Sequence, residues 1–186
     1  MTFTAPAALL FAVALLQESV VAPPPRMPLP LGTVVNLSLR NRSESAIMLG
    51  GFRPSMPPDK DTVHIAAGAP RAVSFRLDRV GNFFYWGALK GLNTYEDRFW
   101  LDSHLTGAFI VDAPGTVVSP QEHIWLITEW FLQPPRVREF ESALVFNGKA
   151  WPHNERLTFT QNDSVHFRVI NAAAVEHPLH LRVLLP

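Results

Sequence analysis

The chain has 186 residues, 47% of them apolar and 17% charged, with sixteen basic and sixteen acidic side chains. That is enough apolar material to bury a core in one domain or the start of two, and it excludes a solvated disordered segment. Zero net charge removes the basic excess that nucleic-acid binding by counterion release requires, and zero cysteine removes disulfides, thiolate zinc or iron-sulfur ligation, a Cys nucleophile and the thiolate of a blue-copper centre.

In chain order, residues 5–16 form an apolar run of twelve, shorter than the roughly 20 that span a bilayer and matched to a secretory h-region. Residues 1–24 are therefore read as a signal or leader segment and the protein as secreted or periplasmic, with a proline-rich linker to Pro30. Past Pro30 the apolar period is two. Residues 33–40 alternate Val35, Leu37, Leu39 with Asn36, Ser38, Arg40, and residues 71–77 alternate Val73, Phe75, Leu77 with Ala72, Ser74, Arg76. Further strands are expected at 62–65, 83–86, 108–112, 123–129, 157–160 and 164–170, the last with Val165, Phe167 and Val169 inward and His166 outward. Turn chemistry at Asn41-Arg42-Ser43, 78–81 and Asn147-Gly148 separates them. Residues 87–105 fit no strand and read as a loop with a helical turn. Short strands without amphipathic helices indicate an all-β antiparallel sandwich or barrel.

Shifted by 130 residues, Gly32-Thr33-x-Val35-x-Leu37-x-Leu39-x-Asn41 overlies Asn162-Asp163-x-Val165-x-Phe167-x-Val169-x-Asn171. Each copy has a turn, an alternating strand and an Asn at its end, as expected of a tandem of one β domain. The first copy closes near Asp112, 71 positions beyond Asn41, whereas 15 residues follow Asn171, about 56 fewer. The expected organisation is a complete domain at 25–115 and a truncated second copy at 116–186, which would not fold stably alone.

Val145-Phe-Asn-Gly-Lys-Ala-Trp-Pro-His-Asn-Glu-Arg-Leu-Thr-Phe-Thr, then residues 163–171, then Glu176-His-Pro-Leu-His-Leu181 resembles the multicopper oxidases, whose domains are cupredoxin sandwiches and which carry His-Pro-x-His-x-His-Gly after an Asn-ended strand. Gly81-Asn-Phe-Phe-Tyr-Trp-Gly, followed by Leu105-Thr-Gly-Ala-Phe-Ile-Val-Asp112, is similar to the family's first domain. The resemblance covers about residues 28–181 and implies a cupredoxin-like Greek-key β-sandwich with copper as cofactor. It matches His177 to a ligand of the mononuclear blue copper and His180 to a ligand of the trinuclear cluster. Alternation gives the motif its logic: residues two apart on a strand face one side, so His-x-His sends two imidazoles into one site.

The chain departs from that pattern. Arg182 stands where the third His belongs and has no lone pair for copper. Aligned on the family's His-x-His pairs, Met48 and Gly50, then Trp86 and Ala88, occupy the ligand positions of the first domain. That domain therefore lacks copper ligands, and Met48 reads as core. His64, His123, His153 and the contiguous Asp102-Ser103-His104 have no spaced partner set, so no catalytic residue is assigned.

The expected function is that of a multicopper-oxidase-type oxidoreductase, coupling one-electron substrate oxidation to dioxygen reduction, present as an incomplete and inactive N-terminal portion. The partners implied are the missing downstream cupredoxin domain and, for the full enzyme, a small-molecule or metal-ion reductant and dioxygen. The alternative is a copper-free cupredoxin-like binding or regulatory module. The resemblance also implies a frameshift. CAC CTG CAC GGG TTC TAC TTC CG, one coding of the family's His-Leu-His-Gly-Phe-Tyr-Phe-Arg, reads His-Leu-Arg-Val-Leu-Leu-Pro once the AC of the third codon is lost, which is the sequence of residues 180–186. Residues 182–186 would then be non-native. Resequencing is expected to find oxidase-like coding sequence downstream in another frame; an intact frame to a genuine stop, with none downstream, contradicts this.

Overall fold

The computed structural model describes residues 8–9, 29–57, 60–89, 105–131, 142–173 and 175–180. Among them all regular structure is β. Strand β1 (Ala8–Leu9) lies within the expected leader and pairs in parallel with β3 (Val34–Arg40), and β6 (Pro70–Arg76) pairs antiparallel along the other side of β3. The second sheet has the order β2 (Leu29–Pro30), β8 (Thr106–Asp112), β7 (Gly81–Leu89), β4 (Ile47–Gly50), β5 (Thr62–Ile65). The chain passes from β3 to β4 and β5, returns to β6, and crosses again to β7, so between β3 and β7 it changes layer three times.

The period-two pattern in β3 explains the first core. Val35, Leu37 and Leu39 are buried while the residues between them face solvent. They meet Ile47, Leu49, Ile65 and Val111 from the opposite sheet, with Phe52, Phe75 and Leu77 filling the ends. Each such side chain, fully buried, contributes about 1.5–3 kcal/mol. Phe52 stacks on Phe75 and Tyr85 at centroid distances of 5.8 and 6.0 Å.

A third sheet has the order β10 (Ser142–Phe146), β9 (Glu122–Phe131), β11 (His166–Asn171). Its strand β11 runs parallel to β9, from His166↔Glu122 to Asn171↔Ile127. Ile110, Leu126, Ile170 and Ala172 form a second core with Phe84, Ala108 and Ile124, so this sheet packs against the outer side of β7 and β8.

The two Asn-ended strands of the repeat are built alike. Asn41 Nδ2 donates to Ser45 O at 2.8 Å and its Oδ1 accepts from Ser43 N at 2.9 Å. Asn171 Nδ2 donates to Val175 O at 2.8 Å and its Oδ1 accepts from Ala173 N at 3.0 Å. The same bonds to residues four and two further on close the strand in each copy, an Asx-type turn that explains the Asn.

Several expectations need correction. Strand β11 keeps its alternation, but the face buried on the neighbouring sheet is that of Arg168 and Ile170, not of Val165, Phe167 and Val169; Ile170 is 5% exposed and Val169 40%. The cause is the second core, which claims Ile170. Residues 157–160 are not a strand, and residues 87–89, expected in a loop, extend β7 to Leu89. Residues 90–104 lie outside the described residues. Strands β4 and β10 were not anticipated, because β4 is buried at every position and shows no alternation.

Asn41 is 4% exposed and its amide also donates to Ile65 O and Ala66 O. Asn41→Ala removes a buried donor from Ile65 O and is expected to destabilise by about 1–3 kcal/mol, against about 0.5–1.5 kcal/mol for Asn171→Ala, whose amide donates to an exposed carbonyl. Urea denaturation of both variants measures the difference; equal losses contradict it.

Candidate metal centre

The four first-repeat positions singled out by the resemblance come together. Strand β4 pairs with β7 so that Met48 lies opposite Ala88 and Gly50 opposite Trp86. Directly opposed residues share a face, so all four lie on one side of the sheet. That side is apolar: Met48 is 4% exposed, Trp86 and Ala88 are fully buried, and Phe84 packs beside them.

Gly50 shows why the cluster is closed. A Cβ there would lie 2.8 Å from Cε2 and Cζ2 of Trp86 and 2.9 Å from Asp61 O. The indole occupies the space that any side chain at position 50 would need. Gly51 follows at φ +82°, with Phe84 O in the path of a Cβ, so the backbone also requires glycine there. Asp61, 1% exposed, fixes the loop after it by accepting the backbone N–H of Arg53 and pairing with the Arg53 guanidinium at 3.5 Å.

The second-repeat candidates are poorer in partners than the motif suggests. His177 is half-buried, and its Nε2 is buried without a hydrogen-bond partner; His180 is exposed. No group of three His, Cys, Asp or Glu close enough to hold a metal occurs among the described residues. Arg182 lies outside them, as do Asp102, Ser103 and His104. His123 serves packing, 5.5 Å from the Phe167 ring and 5.6 Å from Phe159. His64 and His153 are exposed.

A copper cluster needs several imidazoles converging on one point. The described residues do not fit it. Met48 offers one thioether sulfur, Trp86 and Ala88 offer no lone pair to a metal, and His177 contributes one orphaned nitrogen without a neighbouring ligand. Tyr85, next to Trp86, points the other way and covers Gly107 on β8. Burial pushes its phenol above the ordinary value, so it stays neutral near pH 7.

A polar cluster that alternation alone did not reveal ties the third sheet to the second. Arg168 on β11 donates through Nε to Glu122 Oε2 at 2.8 Å and through Nη1 to Asn82 Oδ1 on β7 at 3.2 Å, and its Nη2 pairs with Asp112 Oδ1 on β8 at 3.5 Å. Under the 130-residue shift its counterpart is Ser38, exposed on β3. The departure from the repeat at that position is the signal that could have exposed it.

No protein-family model matches the chain, and no curated protein matches it. Solved structures do. Blue copper oxidase from Nitrosomonas europaea is similar over 80% of this chain and 51% of its own, at 16% identity and a TM-score of 0.62. Multicopper oxidase mgLAC is similar over 80% and 51%, at 17% identity and a TM-score of 0.60. Copper nitrite reductase from Nitrosomonas europaea is similar over 82% and 57%, at 19% identity and a TM-score of 0.61. The chain has the cupredoxin-like fold of the multicopper oxidases. It spans about half the length of these structures. Copper stands in the names of all three of those proteins.

If Trp86 is what excludes a side chain at position 50, the two positions are coupled. Gly50→Ala is expected to cost about 1–3 kcal/mol by overpacking, and Trp86→Ala about 3–5 kcal/mol by leaving a cavity. In the double variant the Gly50→Ala cost should fall without vanishing, because the Asp61 carbonyl oxygen still stands 2.9 Å from the added Cβ; additive losses in the mutant cycle contradict the closure.

Proposed function

We propose that this chain is a copper-free cupredoxin-type module, related in fold to copper-dependent oxidoreductases, in which residues 25–115 are a complete first domain and 116–186 a second, partial copy. The observation that carries this reading is the apolar cluster of Met48, Trp86 and Ala88 around Gly50. The positions where the resemblance expects four imidazoles are core. Such a module acts through packing and binding, and its first domain supports the third sheet through Ile110, Leu126 and Ile170 and the Arg168 cluster.

A second reading is supported by His177, whose buried Nε2 has no partner. In it the chain is the N-terminal portion of an exported oxidase, and His177 and His180 join ligands from a downstream cupredoxin domain. The copper would then serve one-electron oxidation of a small molecule or metal ion and reduction of dioxygen.

Copper titration of the chain, alone and mixed with an oxidase-type cupredoxin domain, separates the two. Purified protein equilibrated with Cu(II) and desalted is expected to retain well below one copper per chain and to show no intense blue band, since that band needs a thiolate. Stoichiometric copper lost on His177→Ala overturns the module reading in favour of the oxidase.

A further inference from the structure

The first sandwich is open along one side, where β6 ends one sheet and β5 ends the other, and neither strand has a further partner strand among the described residues. Between them lies a cleft of about 450 Å³, a size typical of small-molecule sites. Val63 of β5 and Val73 of β6, both packed against the first core, give it an apolar floor. Arg53, from the loop after β4, and Arg71, from β6, line it together with Thr62, His64 and Ser74, and no Asp or Glu is among its lining residues.

Arg71 departs from the pattern of its own strand. It lies opposite Leu39 on β3, as Val73 lies opposite Leu37 and Phe75 opposite Val35, so it belongs to the inward row of the sheet. Alternation calls for an apolar side chain there. The chain instead places a cation at the mouth of the core, exposed and with no hydrogen bond or ion pair among the described residues. Arg53 is held by Asp61, whose almost fully buried carboxylate meets Nη1 at 3.5 Å, and the same nitrogen reaches the Met56 sulfur. Its Nε and Nη2 have no partner among the described residues. Two guanidiniums against one carboxylate leave the cleft cationic.

We propose that this cleft binds a small aliphatic dicarboxylate, each carboxylate taken by one arginine and the chain between them laid over Val63 and Val73. A guanidinium presents a planar fork of donors that fits a carboxylate bidentately, so two of them select for two carboxylates over one. The valine floor suits methylenes better than a hydrated inorganic ion. This ligand goes beyond the copper-free reading and does not depend on it, because neither arginine belongs to the cluster of Met48, Trp86 and Ala88.

Amide chemical-shift titration of the nitrogen-15-labelled full chain with glutarate, at constant ionic strength, tests it. Saturable shifts are expected at residues 62–64 and 71–74. Pentanoate, which has the same carbon chain and a single carboxylate, should bind at least about tenfold more weakly, and so should glutarate to Arg71→Gln, because each loses a charge-assisted contact. Arg156→Gln, at an exposed position in the second repeat, should match the wild type. Arg53→Gln takes the place of Arg71→Gln if the latter does not fold, and the comparison of the two acids needs no variant. Four results overturn the proposal: no saturable shift, equal affinity for glutarate and pentanoate, unchanged affinity in the folded arginine variant, or inorganic phosphate binding as tightly as glutarate. Copper content is read in the titration above, so the ligand can fail while the copper-free reading stands.

Discussion

The register of β4 on β7 is the constraint on which the rest depends. Pairing Gly50 with Trp86 puts the largest side chain of the strand over the smallest residue of its neighbour. A one-residue slip of β4 would turn Leu49 toward the face of Trp86 and take Gly50 out from under the indole. The first core would then lose Leu49, which faces away from Trp86 into Val35, Leu37 and Leu39. One register thus sets the sandwich core on one face and the apolar cluster on the other.

Strands β7 and β8 are shared by the two repeats. Tyr85, Phe83 and Phe109 face the first core, while Phe84, Ala108 and Ile110 face the third sheet. The small Ala108 between Phe84 and Ile110 lets β9 and β11 approach. The Arg168 cluster sits beside that contact, with the Asp112 and Glu122 side chains almost fully buried and Arg168 about a quarter exposed. Removing either carboxylate would leave a partly buried cation short of a partner, so the group fixes how the sheets meet more than it adds net stability.

Much of the fold was legible in the sequence because the first domain follows simple alternation. Val35, Leu37 and Leu39, and then Phe75 and Leu77, are buried as their spacing predicts. The repeat was legible for the same reason, and its two asparagines make matching bonds. What alternation could not reveal were strands packed on both faces, such as β4, and the choice of face in β11, where Phe167 and Val169 look like core residues but Ile170 takes the buried position against β7 and β8. The metal positions were partly legible. Met48, Gly50, Trp86 and Ala88 converge as the resemblance implied, but nothing in composition or spacing showed that the indole fills the place of a side chain at 50. His177 and His180 were singled out by a motif, and their differing burial depends on packing that the motif does not encode.

The central claim is that the space between β4 and β7 is closed core. The most direct measurement is anomalous scattering at the copper edge from crystals of the protein soaked in Cu(II). The closed core predicts no anomalous peak within bonding distance of the Met48 sulfur or between Gly50 and Trp86, with the indole in place over Gly50. A copper peak between those strands, with Trp86 swung away from Gly50, would contradict it.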